Sequence, residues 1–293
     1  MLNILSCLDS DEMAAARRRE LLIPRAFAAE LGQSALEAAT SGFYIDGAGV
    51  LVDWSAAVRA ACAAKVSIPP EAALPEHPSH RFAETLVQVS NETTLGAARR
   101  LLELGLKPLA LNFADGVNPG GGFLHGARAQ EETLCRSSAL YQALVGDPMY
   151  VEHRRRPGRA SSDWAIYSPD VPVFRDDDGT ALAQPWLLSF ISCAAPFAPE
   201  VGQPEARVLL TQRIRRVLAI ARAYGYAALV LGAWGCGVFR NDPSSAASDF
   251  RDALEQEFDG AFSHVVFAIT DWSPDRRFLG PFCQTFGYGE QVR

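Results

Sequence analysis

Lysine is almost missing from this chain: of 27 basic residues only Lys65 and Lys107 are lysines. No lysine follows either of its glycine-rich loops, which excludes the lysine-bearing phosphate loop of nucleoside-triphosphate hydrolases. Nor does a GxGxxG with a well-spaced acid point to a dinucleotide. Positive charge is short overall, with a net charge of −7 and a pI near 5.3. The whole chain therefore has no attraction for nucleic acid, and only a local basic patch would create one. Cys7, Cys62, Cys135, Cys193, Cys236 and Cys283 form no CxxC and join no histidine at metal-ligand spacing. A zinc site and a disulfide framework are thus not indicated, and reduced thiols are expected. Long apolar runs are absent, and Asp9, Asp11 and Glu12 interrupt the N-terminal segment. Neither a membrane span nor a secretory leader is expected, so the chain reads as cytoplasmic.

What is present bounds the fold. With 293 residues, 48% of them hydrophobic, the chain can bury a sizeable core as one large or two small domains. Residues 1–80 form a distinct first region. Helical spacing runs through 14–39, interrupted by Pro24 and Gly32, and a second short helix fits 55–65. Between them 42–52 reads as a hairpin-like turn pair, and the proline-rich stretch 68–80 reads as a connector. From residue 81 strands and helices alternate. Strands are predicted at 86–89, 108–113, 164–167, 187–193, 228–231 and 265–269. Helices are predicted after the Asn91–Thr94 cap, at 205–224 and at 244–258. Such alternation gives an α/β layered fold with a mixed, largely parallel central sheet.

The chain is organised around residues 109–141. An apolar strand end carries Asn112, Asp115 and Asn118 toward its carboxyl edge. Pro119 then fixes the entry to Gly120, Gly121 and Gly122, whose missing Cβ atoms let backbone N–H groups approach a ligand. Gln130, Glu131 and Glu132 follow at a helix start, where carboxylates complement the helix dipole. A second loop of the same kind spans 229–243, with Gly232, Gly235 and Gly237 after a buried strand and Asn241-Asp242-Pro243 opening a helix. Two glycine loops at separate strand ends suit a diphosphate better than either alone. Arg154, Arg155, Arg156 and Arg159 cluster in what reads as a loop over 146–162, a basic patch able to guide a polyanion.

A glycine triplet, seven residues, then Gln-Glu-Glu, set among NFA, NPGGGFL, AQEE, LCR and LY, resembles the signature of the microbial branch of the poly(ADP-ribose) glycohydrolases. The resemblance covers about residue 82 to the end. It implies a macrodomain-like three-layer α/β/α fold over 81–293, with the mainly helical region 1–80 packed on it. It further implies that Glu132 protonates the leaving ribose hydroxyl and then helps deprotonate water, a role that needs a carboxyl able to hold a proton. Glu131 would orient ribose hydroxyls, Asn118 would contact the reacting ribose, Gly120 to Gly122 would line it and Gln130 would hold the loop. Asn112 and Asp115 are further candidates. Gly235, Cys236, Gly237, Val238 and Phe239 would wrap the diphosphate and distal ribose, with Phe239 against sugar or base. Nothing in the sequence marks the adenine contacts beyond the helix start at Asn91–Thr94. Poly(ADP-ribose) or an ADP-ribosylated macromolecule would be the substrate and ADP-ribose the product, without cofactor or metal, on a monomer. Asp115-Gly116-Val117 departs from the family pattern and is expected to alter loop shape. Two alternatives stay open: a mono-ADP-ribosyl hydrolase, and a non-catalytic ADP-ribose reader, against which the intact Gln130-Glu131-Glu132 argues.

Overall fold

The structure, a computed structural model, describes residues 1–76, 81–156 and 159–287. In chain order the strands are β1 (Leu2–Ile4), β2 (Phe43–Ile45), β3 (Leu51–Asp53), β4 (Val66–Ile68), β5 (Thr85–Ser90), β6 (Pro108–Phe113), β7 (Ala165–Arg175), β8 (Ala181–Cys193), β9 (Ala228–Leu231) and β10 (His264–Ala268). The helices are α1 (Asp11–Leu21), α2 (Arg25–Ser41), α3 (Ser55–Ala64), α4 (Thr94–Glu103), α5 (Gln130–Ser137), α6 (Leu140–Leu144), α7 (Pro148–Arg155), α8 (Ala198–Val201), α9 (Glu205–Ala223), α10 (Pro243–Glu255) and α11 (Leu279–Thr285).

An eight-stranded sheet in the order β1-β5-β10-β9-β6-β8-β7-β4 divides the molecule. From β1 to β8 every pairing is parallel, and β7 is antiparallel to both β8 and β4. The pleat sends alternate residues to opposite faces, so each strand feeds two cores. Leu109, Leu111, Leu229, Leu231, Val265 and Phe267 face one core, where α9 and α10 bring Ile214, Val217, Leu218 and Phe250. Ala110, Val230 and Val266 face the other, where α4 and α5 bring Leu95, Leu101 and Leu134. Helices on both faces of a mainly parallel sheet make the three-layer α/β/α arrangement that the alternation predicts.

Residues 1–76 are built into this sheet. They supply both edges, β1 beside β5 and β4 beside β7, and their helices α2 and α3 bury Ala35, Ala38, Val58 and Ala61 in the second core. The turn pair forms as β2 and β3, with Asp46 Oδ1 accepting from the N–H groups of Ala48 and Val50 at 2.9 and 2.8 Å. The last part of the predicted connector, residues 77–80, lies outside the described residues.

Three expectations are corrected. The basic stretch after residue 146 is not a plain loop: Asp147 caps Met149 at 3.0 Å, Pro148 occupies the first turn, and α7 follows. Residues 157 and 158 of that stretch lie outside the described residues. β7 and β8 are far longer than predicted and form one hairpin, because Asp170, Pro172 and Pro185 break the alternation that marks a strand. Cys7 and Cys283, distant in sequence, are joined as a disulfide, while Cys62, Cys135, Cys193 and Cys236 are free thiols. No helix among the described residues is long and apolar enough to cross a membrane.

Candidate functional site

Parallel pairing of β6 with β9 brings their carboxyl ends to the same sheet edge, and with them both glycine-rich loops. α5 opens on Gln130, whose side chain fastens the helix to β6. Gln130 Oε1 accepts from the Phe113 N–H at 2.9 Å, and Nε2 donates to the Leu111 carbonyl at 2.8 Å and to Thr94 Oγ1 at 3.1 Å.

The two acids diverge. Glu131 is 2% exposed, and both its oxygens are engaged: Oε2 accepts from the Asp115 N–H at 2.6 Å and Oε1 from Asn112 Nδ2 at 3.2 Å. Asn112 is itself fully buried and also donates to Ser192 Oγ at 3.0 Å. Burial pushes the Glu131 carboxyl well above the ordinary range, against the pull of the Asp115 N–H bond, and the neighbouring Glu132 charge adds to the rise. Glu132 takes a different direction. Its Oε1 accepts from the Gly122 N–H at 3.0 Å, and its other oxygen makes no hydrogen bond among the described residues.

Within the glycine triplet, Gly121 leaves room for that carboxyl. Gly120 and Gly121 sit at φ 70° and 57°, in the left-handed region that glycine enters without cost. A Cβ at Gly121 would press on Glu132 Oε1 and lie 3.3 Å from Glu131 Oε2. The departure at Asp115-Gly116-Val117 builds the approach. Asp115 Oδ1 accepts from the N–H groups of Val117 and Asn118 at 2.8 and 3.0 Å, and the Asn118 carbonyl accepts from the Gly121 N–H at 3.0 Å. Behind it His153 is buried, with Nδ1 3.0 Å from the Gly116 carbonyl and Nε2 3.1 Å from the Ser162 N–H. Those partners assign the neutral Nδ1–H tautomer, and burial lowers the imidazole to about 4. Asn118 itself is exposed beside this turn.

The second loop is clamped by Asn241, whose Nδ2 donates to the Pro196 and Gly235 carbonyls at 2.9 and 3.1 Å. Gly235, at φ 76°, packs too closely on Ala195 and Asn241 to carry a side chain. Val238 is 75% exposed at the rim, and Phe239 meets Phe197 edge to face at 5.6 Å. Cys236 is placed differently from the expectation. Its side chain turns into the core, its S–H lies against the Trp234 carbonyl, and burial pushes the thiol up to about 12. Only the backbone of Cys236 belongs to the loop.

Between the loops lies a cavity of about 230 Å³ lined by Asp115, Glu131, Glu132, Arg159, Gly235 and Phe239, among others. It adjoins a second, of about 200 Å³, reaching past Glu92, Thr94, Trp272 and Phe278. Phe113, Ala129, Gln130, Ala233 and Gly237 border both, which makes one elongated cleft. Gly120 to Gly122 and Asn118 do not line the cavity beside Glu131 and Glu132; the triplet meets it through the Gly122 N–H on Glu132. Sequence reasoning placed Arg159 in a cluster rather than in the cleft, and it missed Trp272 and Phe278, which are single aromatics in an irregular segment with no periodic signal.

Comparison with known proteins agrees with this geometry. Residues 32–176 match the family model described as microbial-type PARG, catalytic domain. The poly(ADP-ribose) glycohydrolase of Thermomonospora curvata is 39% identical, over 88% of this chain and 98% of that one, with a TM-score of 0.83. A structure of that enzyme bound to the inhibitor ADP-HPD matches with the same coverage and identity and a TM-score of 0.81. The poly(ADP-ribose) glycohydrolase of Deinococcus radiodurans in complex with ADP-ribose is 43% identical, over 78% of this chain and 97% of that one, with a TM-score of 0.72. No curated protein matches the chain. Glycine triplet, Gln-Glu-Glu helix start, macrodomain-like layers and close relatives along most of the chain agree: it belongs to the microbial-type poly(ADP-ribose) glycohydrolase family.

Proposed function

We propose that this protein hydrolyses the ribose–ribose O-glycosidic bonds of poly(ADP-ribose) and releases ADP-ribose. One observation carries the reading: Glu132 is held by the Gly122 N–H under a side-chain-free Gly121, with its second oxygen unengaged, at the wall of a cleft bounded by two glycine loops. Glu132 gives its proton to the leaving 2′-oxygen as the bond to C1 of the distal ribose breaks. A water then adds to the oxocarbenium-like carbon, and its proton returns to Glu132. Glu131 has both oxygens committed to Asp115 and Asn112, so it sets the shape of the reacting end rather than acting as a flanking nucleophile. The backbone of Gly235 to Phe239 faces the diphosphate. The adenosine end occupies the second cavity, beside Glu92, Thr94, Trp272 and Phe278. Relatives of known structure carry ADP-ribose and ADP-HPD, which supports the same ligand class here.

The described lining of the cleft comes from one chain, which favours a monomer. The test is turnover on automodified poly(ADP-ribosyl) protein, run beside mono-ADP-ribosylated protein, with a chelator present and the mass in solution measured. Free ADP-ribose from polymer is expected, from a species near 31.7 kDa. Glu132→Gln should lose turnover by about 10²-fold or more and keep its affinity for ADP-ribose. Full turnover by that variant removes Glu132 from the chemistry; release from the mono-modified protein alone makes the chain a mono-ADP-ribosyl hydrolase.

A further inference from the structure

We infer that Arg159 reads the polymer beyond the unit being released, pairing with the diphosphate of the retained chain on the leaving-group side. This rests on the glycohydrolase reading above. Among the described residues lining the catalytic cavity, Arg159 is the only cation, facing a wall that holds Asp115, Glu131 and Glu132. It takes no part in the second cavity, where the adenosine end of the released unit is placed. Arg159 lines the part of the cleft beside Asp115 and Phe239, outside the adenosine cavity, and a chain continuing from the leaving hydroxyl at Glu132 would pass this side chain.

The side chain is also unspent. Neighbouring arginines serve the fold: Arg154 donates to the Val117 carbonyl at 2.5 Å, and Arg213 donates to the Ala194 and Ala160 carbonyls at 2.9 and 2.6 Å. Arg159 makes no side-chain hydrogen bond among the described residues. Its one ion pair, to Asp115 Oδ2, is long at 3.9 Å, and the side chain is 43% exposed. Its guanidinium lies over the Phe197 ring at 4.6 Å and 6.0 Å from the centre of the Phe239 ring. A planar fork held in that way suits a diphosphate. Its backbone, at φ 48°, lies in the left-handed region that residues with side chains rarely adopt. A mono-ADP-ribosylated protein, as substrate, carries a protein side chain and no diphosphate on the leaving side, so this contact distinguishes polymer from single modification.

The test uses Glu132→Gln protein, so that binding is read without turnover. Size-fractionated poly(ADP-ribose) and free ADP-ribose are titrated at several salt concentrations, with and without Arg159→Gln. Polymer affinity should fall about tenfold and the slope of log affinity against log salt by about one, with ADP-ribose affinity unchanged within about twofold. Arg159→Lys should restore the salt slope and only part of the affinity, since it keeps the charge and loses the fork. Unchanged polymer affinity overturns the inference. So does an equal loss for ADP-ribose, which would place the contact on the unit inside the cleft. Retained ADP-ribose affinity also reports an intact fold, and failure of wild-type protein to release ADP-ribose from polymer counts separately, against the glycohydrolase reading.

Discussion

At the scale of single residues, the catalytic end depends on a side chain that is not there. Gly121 occupies φ 57°, and the space its Cβ would take belongs to Glu132 Oε1. Gly121→Ala therefore meets two penalties, about 1–2 kcal/mol for a left-handed backbone and displacement of the carboxyl from the Gly122 N–H. Turnover should drop at least about tenfold while the thermal midpoint falls only a few degrees, read by a kinetic assay beside a melt. A variant that turns over normally would mean the triplet is only a turn. The motif was legible because Gly120 to Gly122 and Gln130 to Glu132 are residue types a plain turn and a plain helix start do not need together. The full engagement of Glu131 beside a half-engaged Glu132 was not. It follows from the Asp115 N–H and Asn112, which reach Glu131 only once β6 is folded. Cys236 was misplaced for a related reason: a loop residue's side-chain direction is set by its backbone, here turning the thiol into the core.

At the scale of elements, β6 and β9 were found at their observed bounds, since both are buried on two faces and read as continuous apolar runs. α7 was hidden under its arginines, although Asp147-Pro148 is a helix-start signal. That helix matters because it carries His153 to the Gly116 carbonyl and so buttresses the turn before the glycine triplet. The consequence is a pH dependence. Burial lowers His153 from 6.5 to about 4 in the folded state. Above pH 6.5 both folded and unfolded chains carry it neutral, and it adds no dependence. As pH falls from 6.5 toward 4 the unfolded chain takes the proton first, so stability drops by up to about 1.4 kcal/mol per pH unit. Buried carboxyls shifted upward act in the opposite sense, Asp177 at about 6 among them, so the comparison must be internal. Urea unfolding at pH 7 and pH 5 should show a smaller fall for His153→Gln than for the wild type. Equal falls in both would remove His153 from the account.

At the scale of the whole molecule, the resemblance read from the sequence covers about residue 82 to the end, yet the core does not begin there. β1 and β4 are three residues each, too short to show a period, and no sequence pattern announces that they close the two edges of the sheet. The family match beginning at residue 32 takes in the C-terminal part of α2 and all of α3, which fits their burial. Trp54 ties that region down: its Nε1–H donates to the Ala38 carbonyl at 3.0 Å, and its ring lies 4.6 Å from Phe174 on β7 and 5.4 Å from Tyr44. A chain cut to residues 81–293 would expose Phe174, Leu140 and Ile166 on that face and leave β5 and β7 as bare edges. Each large apolar side chain so exposed costs roughly 1.5–3 kcal/mol, and a few exhaust the stability of about 5–15 kcal/mol typical of a domain. The full chain should therefore melt in one cooperative transition by near-ultraviolet circular dichroism, and the 81–293 fragment should show none and bind no ADP-ribose. A fragment that melted cooperatively near the full-length midpoint would make the first 80 residues an accessory, and the single continuous sheet would no longer explain where the fold gets its stability.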